Sequence, residues 1–190
     1  MIKLALVGDI GSGKSYISKF FRYPIFNADF EVSNIYSKDR KCYRKIKKAF
    51  SKSNFSFPIK KKELINCILS NNKNLNKLSK IIHPIIRKRL NIFLKKNKSK
   101  KVVILDIPLF LENKLNSSTD IIIFIQANKN EIRKRLFKRK GFNKKLFNLF
   151  KKIQLPLYIK KKKADFVIKN NFSNKLEKKS VNYILDQVLK

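Results

Sequence analysis

Residues 8–15 read Gly-Asp-Ile-Gly-Ser-Gly-Lys-Ser, a match to the pattern G-x-x-x-x-G-K-[ST], and they lie between an apolar run at 2–7 and a helical pattern at 14–21. A strand, a glycine-rich turn and a helix in that order restrict this chain more than any other feature. Glycines at 8, 11 and 13 open backbone conformations closed to other residues and bring main-chain N–H groups close to an anion. The helix N-terminus adds a favourable dipole. Lys14 is spaced to reach the β- and γ-phosphates of a nucleotide, and the Ser15 hydroxyl to bind Mg²⁺. The chain holds 4 Gly in all, and three of them sit in this loop. At these residue frequencies a chance match to the pattern is on the order of one in a thousand. The loop therefore predicts nucleotide binding through Gly8, Gly11, Ser12, Gly13, Lys14, Ser15 and Tyr16, with ATP and Mg²⁺ as the expected ligands.

Further along, residues 24–27 read as a second short strand, and 31–50, 60–70 and 75–97 as helices, the last carrying Pro84 as an expected break or kink. Residues 102–106 form a continuous apolar run of the kind found in buried parallel sheets, and 121–125 form another. Helices are expected at 129–140, ended by Gly141, at 144–153 and at 158–163. A last strand at 166–168 precedes a C-terminal helix at 174–189. Strands alternating with helices imply one α/β domain whose parallel sheet is covered on both faces.

Composition narrows the function classes. No apolar run approaches the roughly 20 residues that span a bilayer, and no signal peptide precedes the first strand, so a cytoplasmic protein without a membrane partner is expected. Cys42, Cys67 and a single His cannot build a disulfide framework or a zinc site. The net charge of +35 raises the question of nucleic acid. The lysines, however, are spread over almost every predicted helix, and Lys, Asn, Ile and Phe are all abundant, the bias of an AT-rich genome. No basic motif interleaved with aromatics is present. No specific nucleic-acid partner is expected.

With only 12 acids in the chain, those at strand ends are informative, because open α/β sheets bind ligands there. Asp29 follows the second strand and Asp106 ends the third. Either could face a transferring phosphate and an attacking hydroxyl, one orienting or deprotonating the hydroxyl and the other holding the metal's water shell. As alternatives, Asp29 could cap a helix and Asp106 could serve the turn before Pro108. His83-Pro84 reads alone as a helix-start element, with Arg87 and Arg89 solvated. Arg133, Arg135 and Arg139 lie on one predicted helix, either as a solvated basic face or as a clamp on phosphate charge.

In order, these segments resemble dephospho-coenzyme A kinases over nearly the whole chain. Residues 6–15 are similar to that family's phosphate loop, Phe26-Asn27-Ala28-Asp29 to its D-A-D element, and Ile82-His83-Pro84-Ile85-Ile86-Arg87 to its H-P-x-I-R element. Residues 105–113 are similar to its D-x-P-L-L-x-E stretch, and Gln154-Leu155-Pro156 with 163–171 to its Q-x-P and A-D-x-V-I-x-N-N segments. The resemblance implies a three-layer P-loop kinase fold with a parallel sheet of about five strands and helical acceptor-binding and lid insertions. It implies transfer of the ATP γ-phosphate to the ribose 3′-hydroxyl of dephospho-coenzyme A, the last step in making coenzyme A. The core would lie at about 1–30, 100–130 and 164–190, the acceptor-binding insertion at 31–99 and the lid at 139–163. Asp29, Lys14 and Arg139 would be catalytic, Ser15 would face the metal, and His83, Arg87, Asp106 and Pro108 would bind the acceptor.

The sequence departs from the family pattern at three places: Asp9 stands for a glycine, Asn27 for the first acid of D-A-D, and Tyr16 for a common threonine. Asp9 puts a negative charge beside a phosphate site, and Asn27 removes an acid from the metal region. Two other functions compete with the one the resemblance implies: a kinase for another small acceptor such as a nucleoside monophosphate, and a basic nucleic-acid-binding ATPase.

Overall fold

The structure, a computed structural model, describes residues 1–71, 73–139 and 141–190. Its centre is a five-stranded, wholly parallel sheet in the order β2-β3-β1-β4-β5. The strands are β1 Ile2–Gly8, β2 Ile25–Asn27, β3 Val102–Asp106, β4 Asp120–Ala127 and β5 Phe166–Asn170. Successive side chains of a strand point to opposite faces. Leu4, Leu6, Ile104, Ile123 and Ile168 therefore pack on one side with Ile17, Phe21 and Val181. Ala5, Val7, Leu105, Ile122 and Phe124 join the helical side on the other. Burial on both faces is why β3 reads Val-Val-Ile-Leu without alternation.

One face carries α1 Lys14–Ile17, a 3₁₀ turn at Ser18–Phe21 and α9 Lys175–Val188. The helices α2 Ala28–Lys38, α3 Arg40–Ala49, α4 Lys61–Ser70 and α5 Asn74–Lys96 are all inserted between β2 and β3 on the other side. After β4 come α6 Lys129–Lys138, α7 Lys144–Ile153 and α8 Leu157–Lys162. Among the described residues no helix is long and apolar enough to cross a membrane. Cys42 and Cys67 are buried, unpaired thiols.

Several expected boundaries shift for physical reasons. The helix expected at 31–50 is two helices, because Asp39 is extended, with ψ 92°, and its carboxylate accepts the Cys42 N–H at 2.8 Å as the cap of α3. Pro84 does not break α5. Leu75, Leu78, Ile82, Ile86 and Leu90 form one buried stripe across it, and that packing carries the helix past the missing N–H. The helix after the phosphate loop changes from α to 3₁₀ at Ser18 and stops at Arg22, which is left-handed at φ 56°. Arg139 lies at the end of α6, as its extended cap, and not within the helix. Lys140, the expected last residue of that helix, lies outside the described residues.

Candidate active site

The loop between β1 and α1 sits at the carboxyl edge of the sheet, next to the ends of β3, β4 and β5. Its glycines are required by close approach. A Cβ on Gly8 would stand 2.6 Å from the Ile125 carbonyl oxygen. One on Gly13, where φ is +89°, would stand 2.3 Å from Asn170 Nδ2. Asn170, 1% exposed at the end of β5, fastens the loop by donating to the Ser12 carbonyl at 2.8 Å, and its Oδ1 accepts the Phe172 N–H. Among the described residues the Ser12 hydroxyl is buried without a protein partner, the kind of orphan that a phosphate oxygen satisfies.

Lys14 is almost fully buried and curls back over the loop, donating to the Asp9 carbonyl at 2.9 Å. Burial lowers its pKa, opposed chiefly by the Asp106 charge. Asp106 ends β3 beside the paired residue Asn27 of β2. Asn27 does two jobs there. Its Nδ2 donates to Asp106 Oδ2 at 2.6 Å, and its Oδ1 accepts the Phe30 N–H at 2.8 Å as the cap of α2. Asn27 therefore fills the capping role that the sequence offered to Asp29.

Asp29 is left free in the first turn of α2, where it lines a cavity of about 420 Å³. It is open to solvent on the cavity side. The surrounding protein nevertheless pushes its carboxyl above the ordinary aspartate value, first by desolvation and then by the Asp106 charge, while Lys14 and Arg139 pull it down. Asp106, only 2% exposed, is also raised by burial, with the Ser15 hydroxyl, Lys14 and Asn27 opposing. Burial is the main cause of both shifts, and the like charge of Asp106 adds to it at Asp29.

The cavity brings Asp29 together with His83, Arg87, Pro108 and Arg139. His83 and Arg87 are one turn apart on α5 and so share a face. Burial, then Arg87, lowers the His83 pKa. The wall between these groups is mostly aliphatic, with Leu78, Ile82 and Ile86 from α5. Arg89 is not solvated as expected; it pairs with Glu31 at 2.6 Å and ties α5 to α2. Arg135 is stacked on Phe172, 3.6 Å from the ring centroid, and Arg133 is exposed. The Tyr16 side chain is not in the cavity lining: its ring packs edge-on against Phe20 and its hydroxyl bonds Asn174.

The residues after α6 are joined to the core by two ion pairs that sequence reading missed. Lys160, 1% exposed, meets Glu112 at 2.7 Å, and Glu112 also accepts the Leu155 N–H. Lys151 of α7 meets Asp9 of the phosphate loop at 3.0 Å. Neither pair has a local sequence signal, because the partners are far apart in the chain.

The sequence profile of the dephospho-CoA kinase family matches residues 2–176. A dephospho-CoA kinase from the Wolbachia of Brugia malayi is 30% identical, covering 97% of both chains. A Thermus thermophilus crystal structure superposes with a TM-score of 0.79 at 23% identity, covering 98% of this chain and 97% of that one. A dephospho-CoA kinase from Campylobacter jejuni superposes at 0.67 with 24% identity, covering 98% and 96%. At these identities the two structures speak for the fold.

Proposed function

The chain belongs to the dephospho-CoA kinase family and converts dephospho-CoA to CoA with ATP as phosphate donor; from that premise we propose how its own residues do so. The carrying observation is the position of Asp29, which stands in the acceptor cavity with the charges of Lys14, Asp106 and Arg139 acting on its carboxyl.

The triphosphate lies along the main-chain N–H groups of the loop at the start of α1, with Gly8, Gly11, Ser12, Gly13 and Ser15 around it. Lys14 leaves the Asp9 carbonyl to neutralise charge on the β- and γ-phosphates. The acceptor enters the cavity against the aliphatic face of α5, with His83 and Arg87 binding its polar groups and Pro108 closing the opposite wall. Asp29 accepts the proton of the ribose 3′-hydroxyl as that oxygen attacks the γ-phosphorus in line and the β–γ bridging bond breaks. Its position at the N-terminus of α2 works in favour of the ionised form required of a base, against the burial that raises its pKa. Arg139 lines the same cavity and is placed to meet charge developing on the transferring group.

Mg²⁺ fits the donors at hand. Ser15 and Asp106 offer a hydroxyl and a carboxylate that interact with each other, both hard oxygen donors. Among the described residues there is no cluster of three acidic, His or Cys ligands. That suits an ion that takes one or two protein groups and completes its shell with phosphate oxygens and water. Bound there, it would neutralise phosphate charge and orient the γ-phosphate.

In this reading residues 31–99 form the acceptor-binding insertion, 139–163 the lid that excludes water, and 1–30, 100–130 and 164–190 the core. The test is ADP release from purified protein with ATP and Mg²⁺, comparing dephospho-CoA with adenylate and other small acceptors. Release that depends on dephospho-CoA, with phosphate appearing on the 3′-oxygen in the ³¹P spectrum, is the expected result. Equal release with adenylate would overturn the acceptor assignment while leaving the phosphate loop in place.

A further inference from the structure

Asp9 places an acid inside a loop that must hold a polyanion, and its carboxylate is nearly sealed from solvent, with 8% side-chain exposure. A carboxylate so close to bound phosphates weakens their binding unless a cation accompanies it. Two contacts occupy it. Oδ1 accepts the Ile10 N–H at 2.8 Å, which holds the carboxylate against its own loop. Lys151, from the last turn of α7, donates to both oxygens, at 3.0 and 3.3 Å. The same aspartate accepts Lys14 Nζ on its main-chain carbonyl. Position 9 thus joins the phosphate-facing lysine through its backbone to the 139–163 segment through its side chain.

We propose that Lys151 is a positioning residue of the nucleotide site: it neutralises Asp9, and so keeps an acidic phosphate loop able to take a nucleoside triphosphate while drawing α7 over that loop. Asp9 and Lys151 then act as one unit, and neither substitution alone reports the value of the other. Lys151 is half exposed and reaches the loop past the Phe147 ring, 5.9 Å away, so its stem is steered rather than rigidly packed. Lys129 and Lys161 line a small cavity beside Asp9, but neither forms an ion pair with it. The proposal rests on the placement of the triphosphate on the 8–15 loop.

The test is equilibrium ATP binding, without acceptor, to the wild type, Lys151→Met, Asp9→Gly and the double variant, each with its melting temperature. Lys14→Met serves as the control for placement. The unit predicts that Lys151→Met weakens ATP binding about tenfold beside Asp9, and that the double variant returns to within about threefold of Asp9→Gly, a coupling in the usual range for linked sites. Lys151→Arg, which keeps the charge, should bind nearly as well as the wild type. An equal loss on removing Lys151 in both backgrounds would make it a direct phosphate ligand and overturn the proposal. Changed melting temperatures with unchanged ATP affinity would overturn it too, leaving a purely structural latch. Unimpaired ATP binding by Lys14→Met would instead refute the loop placement, and the proposal with it.

Discussion

The two walls of the active site are built in opposite ways. On the nucleotide wall the geometry is main-chain: Gly8 and Gly13 have no room for a Cβ, and Asn170 pins the loop from β5, the edge strand beyond β4. On the acceptor wall recognition is left to side chains on helices. Asp29 and Arg87 are exposed, His83 is half-buried, and the surface between them is aliphatic. A phosphate chain is the same in every donor, so a fixed backbone cradle serves it. An acceptor must be told from its rivals, and we assign that to side chains on α2 and α5. Substitutions on the first wall should therefore damage binding and folding together, and those on the second should act on one kinetic parameter at a time.

The largest effect should come from Lys14→Met on the nucleotide wall. It removes the charge proposed to reach both phosphates, so kcat/KM should fall about a hundredfold to a thousandfold, with loss of ATP affinity, in steady-state assays and titrations. Gly13→Ala should couple the two losses that the comparison links there. The forced positive φ and the clash with Asn170 should remove about 1–3 kcal/mol of stability in denaturant melts, and ATP binding should weaken with it. On the other wall, Arg87→Met should raise the KM for dephospho-CoA about tenfold and leave the KM for ATP alone. A shared rise in both would break the separation of the walls.

The smallest effect concerns Asp29 and pH. Its pKa is raised in the fold, so the neutral form is favoured there. Its contribution to stability is fully present below the unfolded value, about 3.9, and is lost as pH rises through the folded value. Asp29→Asn should thus melt higher than the wild type at neutral pH, and the gap should close as pH falls below about 4. The acid limb of kcat/KM should likewise lie above the ordinary aspartate value, since the base must be ionised to act.

Much of the nucleotide wall was legible in the sequence because its signals are local. The loop pattern with its three glycines, the apolar run that became β3 at its expected limits, and the acid at the end of β3 can all be read within a few residues. The acceptor wall was less legible. The break at Asp39 was masked by helix-favouring residues on both sides, and Pro84 suggested a kink that the buried stripe of α5 overrides. The contacts that lock the site were hidden altogether. Asn170 reaches Ser12 across 158 positions, and Lys151 reaches Asp9 across 142. Such pairings depend on how the strands and helices are ordered in space, and no periodicity records that. The sequence showed only that position 9 puts a negative charge beside the phosphate site, and not what answers it.

The central claim, that Asp29 takes the acceptor's proton while the other wall holds ATP, is tested most directly by one side-by-side measurement on Asp29→Asn. Turnover with dephospho-CoA and the equilibrium Kd for ATP should be measured on the same preparation. The account predicts a fall in kcat of about a hundredfold or more, with the ATP Kd within about twofold of the wild type. A kcat within a few-fold of the wild type would contradict it and remove Asp29 from the chemistry.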